Sequence, residues 1–169
     1  YQEQLLWLDD ISESLNRSIR SLQFITTTGH VSRQQVQAYL EQSRYLLFPS
    51  RREGCPMGLL EAMDCGVVPI CGDGRGAMRE IISHQANGFL FDLSQWPVQA
   101  AQILSSTSQD ANTTEQLRLC AQRTISERFT MRRVASELVY LLANPRLARP
   151  TSDVAVPIRW HRSTARSLS

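Results

Sequence analysis

The sequence contains no lysine, because all 18 of its basic residues are arginines. This absence excludes a lysine nucleophile or Schiff base within these residues, and it excludes the lysine of a Walker-type phosphate loop. The formal net charge is only +2, which is too small to indicate a nucleic-acid partner by itself. We therefore predict a protein that does not bind nucleic acid.

Patterns typical of metal sites, disulfide frameworks and membrane spans are also missing. The four cysteines form no Cys-x-x-Cys pair, and the three histidines lack zinc-ligand spacing. No apolar run approaches the length that crosses a bilayer, and no signal sequence is recognisable. We predict reduced thiols, no metal site and a cytoplasmic location. Because the chain begins with Tyr1, we expect the natural protein to extend further towards its N-terminus.

Short apolar strands alternate with helical segments along the chain. Apolar periodicity predicts helices over 2–19, 33–43, 56–65, 77–83, 98–105, 113–128 and 130–142. Strands are predicted at 22–26, 45–48, 67–71 and 88–91. This alternation predicts an α/β fold with a Rossmann-like parallel sheet, flanking helices and a helical C-terminal end. Residues 1–145 are assigned to this domain, and residues 146–169 are predicted to be a flexible tail.

The most informative segment is 48–61, where a strand that we predict to be buried on both faces leads through a short loop into a helix. Pro56 suits the first helical position, because its missing N–H would have no partner there. The N–H groups of Met57, Gly58 and Leu59 are expected to be free and to attract a phosphate. Glycine in a helix costs about 1 kcal/mol relative to alanine. Gly58 therefore indicates either close approach of a ligand or close packing against a strand.

Two glutamates, Glu53 and Glu61, lie on either side of this helix start. Nine glutamates in 169 residues give about 0.5 pairs at this separation by chance, so the spacing alone is weak. Their position favours a ligand that carries hydroxyls as well as phosphate. A carboxylate that accepts from a hydroxyl contributes roughly 1.5–3 kcal/mol. The alternative is that Glu61 is a solvated helix residue.

A glycine-rich loop over 72–76 follows the next predicted strand. Ligands of parallel sheets bind beyond the carboxyl ends of the strands, so this loop and the loop over 50–55 are expected to converge on one crevice. Arg75 either pairs with a diphosphate there or is a solvated charge, and His30 follows a strand end that faces the same crevice. Asp92 suggests a Rossmann-type oxidoreductase as another interpretation, although the glycines follow Gly-x-Gly-x-Gly rather than Gly-x-Gly-x-x-Gly.

The predicted C-terminal helices carry a group of four arginines, Arg123, Arg128, Arg132 and Arg133. We interpret them as a solvated helix face, with acidic lipid or a partner surface as the alternative. We therefore predict a cytoplasmic location, with a peripheral contact at the inner face of the membrane as the alternative.

Several ordered motifs form a longer pattern: Pro49-Ser50-Arg51-Arg52-Glu53-Gly54, Gly58-Leu59-Leu60-Glu61-Ala62-Met63, Cys65-Gly66-Val67-Val68-Pro69, and Glu80-Ile81-Ile82 with Asn87-Gly88-Phe89-Leu90. Together they resemble the C-terminal, donor-binding domain of GT-B glycosyltransferases of family 4, the glycosyl transferases group 1. The likeness extends from about Gly29 to Phe91, and the closing helices to about Ala143 are also similar.

This resemblance implies a retaining, hexosyl-type transferase that uses a nucleotide-sugar donor and needs no metal or other cofactor. It implies that Glu53 is the catalytic residue, holding hydroxyls of the donor sugar, and that Glu61 binds the ribose. The other donor-binding residues that we assign are Cys55, Pro56, Met57, Gly58, Leu59, Arg75 and His30. The acceptor is expected to be a carbohydrate or a glycolipid, since relatives commonly act in polysaccharide biosynthesis.

The chain departs from the family pattern in ways that affect these expectations. Members carry an arginine and a lysine on the diphosphate near the first strand of this domain, and this chain has neither that strand nor a lysine. The common Gly-Gly appears as Gly74-Arg75-Gly76. In the family's strand order, 3-2-1-4-5-6, strands 22–26 and 45–48 are third and fourth. We therefore expect an incomplete sheet, a missing N-terminal GT-B domain as partner, and a fragment that is inactive alone. A non-catalytic remnant or interaction module is the alternative.

Overall fold

The computed structural model describes residues 31–144. The predicted helix over 2–19, the predicted strand at 22–26, His30 and the predicted tail over 146–169 lie outside this range. The described residues belong to two compact units, which divide after Arg133.

The elements alternate as the sequence predicts. The helices are α1 (Arg33–Gln42), α2 (Met57–Asp64), α3 (Met78–Ile81), α4 (Trp96–Ser108), α5 (Ala111–Arg128) and α6 (Met131–Ala143). The strands are β1 (Tyr45–Phe48), β2 (Arg52–Glu53), β3 (Val68–Gly72), β4 (Arg75–Gly76) and β5 (Phe89–Phe91). The predicted α/β class and the helical C-terminal end are confirmed.

Parallel strands form the main sheet, in the order β1-β3-β5. All residues of the central strand β3 are buried, as expected for a parallel strand covered on both faces. The same prediction for β1 is wrong, because β1 lies at the edge of this sheet within residues 31–144 and is only half-buried. Phe48 pairs with Cys71, and Gly72 pairs with Phe91. The loops after the three strands therefore leave from the same edge.

The core lies on both faces of the sheet and follows the alternation of side chains along β3. Val68 and Ile70 pack towards α4 on one face. Cys71 points to the other face, where it packs with Leu59 and Met63 of α2. Burial raises the pKa of the Cys71 thiol to about 12. All four cysteines are unpaired, so the prediction of free thiols is confirmed.

The second unit is described from Val134 to Asn144 and contains the remainder of α6. The Asn144 side-chain amide donates to the Tyr140 carbonyl at 2.9 Å and closes the helix end. None of the helices between residues 31 and 144 combines the length and the apolar character needed to cross a membrane.

Candidate functional site

The loops after β1 and β3 lie against each other at the carboxyl edge of the sheet. β2 pairs with β4 in parallel, aligning Arg52 with Arg75 and Glu53 with Gly76. The Ala77 N–H donates to the Glu53 carbonyl at 3.0 Å. The predicted convergence of the two loops is confirmed. Their pairing as strands is new, since two-residue strands leave no periodicity in the sequence.

The glycines of the second loop are required by this contact. A Cβ at Gly74 would lie 2.5 Å from the Arg51 carbonyl oxygen, and a Cβ at Gly76 would collide with the Glu53 carbonyl oxygen. Gly76 also has a φ of +110°, a conformation that L side chains rarely adopt. These glycines therefore allow two backbones to touch, which explains their spacing without a dinucleotide.

Glu53 is held in position by its own loop. The Ser50 hydroxyl donates to Glu53 Oε1 at 2.7 Å, and the β2–β4 pairing fixes the Glu53 backbone. The residue is half-buried. Its second carboxylate oxygen has no protein partner within residues 31–144 and is free to accept from a ligand hydroxyl. In the sequence, the only sign of this contact is that Ser50 and Glu53 lie three residues apart, a spacing at which local side-chain hydrogen bonds often form.

At the start of α2, not all of the backbone N–H groups that were predicted to be free lack a hydrogen-bond acceptor. Helix α2 begins at Met57, so Pro56 precedes the helix rather than occupying its first position. The Met57 N–H donates to the Cys55 carbonyl at 2.9 Å, and the Leu59 N–H donates to the Pro56 carbonyl at 3.0 Å. Of the three amides predicted to be free, only that of Gly58 lacks a partner in the described chain. A turn before the helix supplies the carbonyl acceptors that a helix start ordinarily lacks.

Gly58 lies in open space. A Cβ built at Gly58 meets no atom of the described residues within 4 Å, and the same holds for Gly54 in the preceding loop. Close packing against a strand therefore does not account for Gly58 in this part of the chain. The other explanation, the approach of a ligand to the Gly58 amide, stays a prediction.

Three of the predicted donor-binding residues at or near this helix start have exposed side chains. Glu61 is exposed, and its carboxylate has no partner within residues 31–144, which fits both a ribose ligand and a solvated helix residue. Cys55 and Met57 are exposed as well, with their sulfur atoms 3.8 Å apart. The donor-binding roles of these residues stay predictions.

The side chains of two predicted donor-binding residues are not among those that the structure describes. His30 lies outside the described residues, and Arg75 is described only by its backbone in β4. Asp92, the acidic residue of the oxidoreductase interpretation, is used in a local turn. The Ser94 N–H and hydroxyl donate to Asp92 Oδ1 at 2.9 and 2.8 Å, and these bonds lower the pKa of Asp92.

The described residues also bear on metal binding and on a cavity away from the two loops. Within 31–144, the His, Cys, Asp and Glu side chains form no group that could hold a metal ion, and the metal-independent reaction stays a prediction. A cavity of about 170 Å³ is lined by residues outside the predicted site, namely Arg44, Ser108, Ala111, Thr114, Glu115 and Arg118. It lies towards the amino-terminal end of β1 and is separate from the two paired loops.

The sequence matches a known family over most of its length. The model of the family described as "Glycosyl transferases group 1" matches residues 12–123. No curated protein matches the chain in sequence.

Solved structures share the fold. Sucrose-phosphate synthase from Thermosynechococcus elongatus has a TM-score of 0.63 at 18% identity, covering 84% of this chain and 34% of that protein. Anabaena Alr3699/HepE in complex with UDP-glucose has a TM-score of 0.61 at 19% identity, covering 85% and 37%. The C-terminal domain of the group 1 protein LpcC from Francisella tularensis has a TM-score of 0.60 at 18% identity, covering 78% and 66%. The present chain thus spans less than two thirds of the length of each of these solved proteins. The likeness confirms the fold of a GT-B C-terminal domain.

Proposed function

The chain belongs to the glycosyl transferases group 1 family, and on this premise we propose that it forms the donor site of a retaining, hexosyl-type glycosyltransferase of family 4. The observation that carries the proposal is the open start of α2. The Gly58 N–H, which has no partner within residues 31–144, lies at the positive end of the helix dipole and suits a phosphate. Glu53, at the same edge of the sheet, keeps one carboxylate oxygen for a sugar hydroxyl.

In the proposed reaction, the bond between the anomeric carbon and the diphosphate oxygen breaks, and the diphosphate leaves with the electron pair. The acceptor hydroxyl attacks from the same face, and its proton passes to the departing diphosphate. Glu53 orients the sugar, Glu61 holds the ribose, and the Gly58 N–H stabilises charge that develops on the diphosphate. Met57 and Leu59 contribute through the turn that their amides close, and no metal takes part.

The donor and acceptor are proposed by chemical class. Structures of Anabaena Alr3699/HepE contain UDP and UDP-glucose, so a uridine donor is the first to test. A carbohydrate or glycolipid is the proposed acceptor. Because the chain spans 34% and 37% of two of its relatives, we propose that it does not complete transfer alone. Another part of the protein then supplies acceptor contacts and a cation for the diphosphate.

A non-catalytic module on the same fold is the second candidate, and the lack of lysine favours it. Calorimetric titration of the full protein with UDP, GDP and ADP separates the two candidates. The transferase predicts selective binding of one diphosphate, whereas a module predicts none. The oxidoreductase interpretation is dropped, since family membership and the local role of Asp92 both weigh against it.

Gly58→Ala is expected to stabilise the protein and weaken nucleotide binding together. Alanine gains about 1 kcal/mol over glycine in a helix. The new methyl group meets no described atom within 4 Å, but it narrows the approach to the amide. Urea unfolding and UDP titration measure the two effects. Asp64→Ala at the other end of α2 is the control, expected to leave UDP affinity unchanged. Loss of stability, or unchanged affinity, in Gly58→Ala would contradict this account.

Glu61→Gln is expected to weaken UDP binding by about 10- to 100-fold, because an ionised acceptor of the ribose hydroxyls is lost. The analogue 2′,3′-dideoxy-UDP identifies the contact. The wild-type protein should bind this analogue about as weakly as the variant binds UDP. The variant itself should scarcely distinguish the two nucleotides. If Glu61→Gln retains full preference for UDP, Glu61 is a solvated helix residue.

A further inference from the structure

The side chain of Arg79, on α3, reaches back to the glycine-rich loop. Its Nε donates to Asp73 Oδ1 at 2.6 Å, and its Nη2 donates to Asp73 Oδ2 at 2.8 Å. Two parallel bonds from a planar guanidinium fix the orientation of a carboxylate as well as its distance. The hydrogen bonds and charge of Asp73 raise the pKa of Arg79.

Asp73 is held at its backbone as well as at its side chain. Its N–H donates to the Phe91 carbonyl at 2.7 Å, which attaches the loop to β5. The Gly74 N–H donates to the Gly72 carbonyl at 2.8 Å and tightens the turn. The start of the loop is thus tied to the sheet by its main chain and to α3 by the Asp73–Arg79 pair.

The segment enclosed by this pair is the one that contacts Glu53. Gly76 pairs with Glu53, and the Ala77 N–H donates to the Glu53 carbonyl. Only Gly74 and Arg75 separate Asp73 from Gly76. If Asp73 moves relative to α3, Gly76 moves with it, and the backbone contacts between this loop and Glu53 change.

Stability does not account for the geometry of the pair. The Arg79 and Asp73 side chains are 70% and 31% exposed, and exposed ion pairs contribute little to folding. The two-bond geometry restricts position more than it adds stability. This distinguishes it from the exposed pair Arg123–Glu127 on α5, which is a single contact of 3.9 Å.

We propose that Arg79 is a positioning residue that, through Asp73, fixes the loop over 72–76 and with it the backbone of Glu53. Its effect on the loop is independent of the proposed function. Its effect on donor binding rests on that function.

Hydrogen–deuterium exchange of the full protein tests the effect on the loop. In Arg79→Ala, peptides covering 73–79 should exchange roughly threefold faster than in the wild type, because the loop opens more often. Arg79→Lys keeps the charge but loses the planar fork, and should lie between the two. Arg123→Ala is the matched control, since Arg123 is 74% exposed and its ion pair lies elsewhere. It should leave exchange of this loop unchanged.

A double-variant cycle with Asp73→Asn separates the pair from two independent effects. If the two side chains act together, the double variant exchanges no faster than the more affected single variant. Unchanged exchange in Arg79→Ala, or fully additive effects, overturns the proposal.

UDP titration then tests the link to the donor site. Arg79→Ala should bind UDP roughly threefold more weakly, while Arg123→Ala binds it like the wild type. Faster loop exchange with unchanged UDP affinity overturns the link to the donor. If the wild-type protein binds no nucleotide, the proposed function fails, and the exchange experiment still decides the role of Arg79 in the loop.

Discussion

Glu53→Gln is expected to lower the rate of glycosyl transfer by the full protein by about 100- to 1000-fold, with little change in stability. Glutamine keeps the size of the side chain and can still accept from the Ser50 hydroxyl, which lies 2.7 Å from Glu53 Oε1. It lacks the negative charge that makes bonds to the sugar hydroxyls strong. These bonds orient the anomeric carbon, so their loss should appear mainly in kcat.

Initial rates at varied donor concentration measure this effect and separate kcat from KM. Glu127→Gln provides the control, because Glu127 is an exposed helix glutamate that makes a 3.9 Å ion pair with Arg123 on its own helix. Its rates should match those of the wild type. Unchanged transfer from Glu53→Gln would remove Glu53 from the catalytic machinery and leave the interaction module as the better account.

Gly76→Ala is expected to destabilise the protein by about 2–4 kcal/mol. The new Cβ would collide with the Glu53 carbonyl oxygen, and the backbone φ of +110° is strained for any L side chain. Relief requires the two loops to separate, which breaks the β2–β4 pairing. Transfer should therefore fall as well, since Glu53 loses its support.

Urea unfolding followed by circular dichroism measures the change in the free energy of unfolding. Gly54→Ala, in the partner loop, is the control: its Cβ meets nothing within 4 Å in the described chain, and its φ is not positive. We expect this control to stay within about 0.5 kcal/mol of the wild type. Equal stability of the two variants would show that the loops do not touch as described.

Much of the fold could be predicted because its causes are local. The alternation of short apolar runs with amphipathic segments predicted the α/β class with a parallel sheet, and the full burial of β3 is what such a sheet requires of a strand covered on both faces. Glu53 was found through its motif and confirmed to lie in one of the two loops that meet. The burial of β1 was overestimated, because an apolar strand reads the same whether it lies at the centre or at an edge of a sheet.

The hydrogen bonds at the start of α2 could not be predicted from the local sequence. The first N–H groups of a helix generally lack an acceptor within the helix, which predicted free amides at Met57, Gly58 and Leu59. The carbonyl oxygens of Cys55 and Pro56 accept hydrogen bonds from two of these three amides. Turn conformation depends on backbone angles that single residue types do not specify here.

The sequence by itself determined the class of fold, the family and the carboxylates of the candidate site, since these rest on periodicity and on ordered motifs. Only the tertiary structure decided what each glycine is for. Gly58 is open to solvent, whereas Gly74 and Gly76 touch the loop of Glu53. It also brought Arg79 onto Asp73. The physical reason is that the glycine contacts depend on how the loops after β1 and β3 approach each other once the sheet is formed, and the Arg79–Asp73 contact depends on how the chain turns between residues 73 and 79. Residue spacing along the chain records neither of these distances.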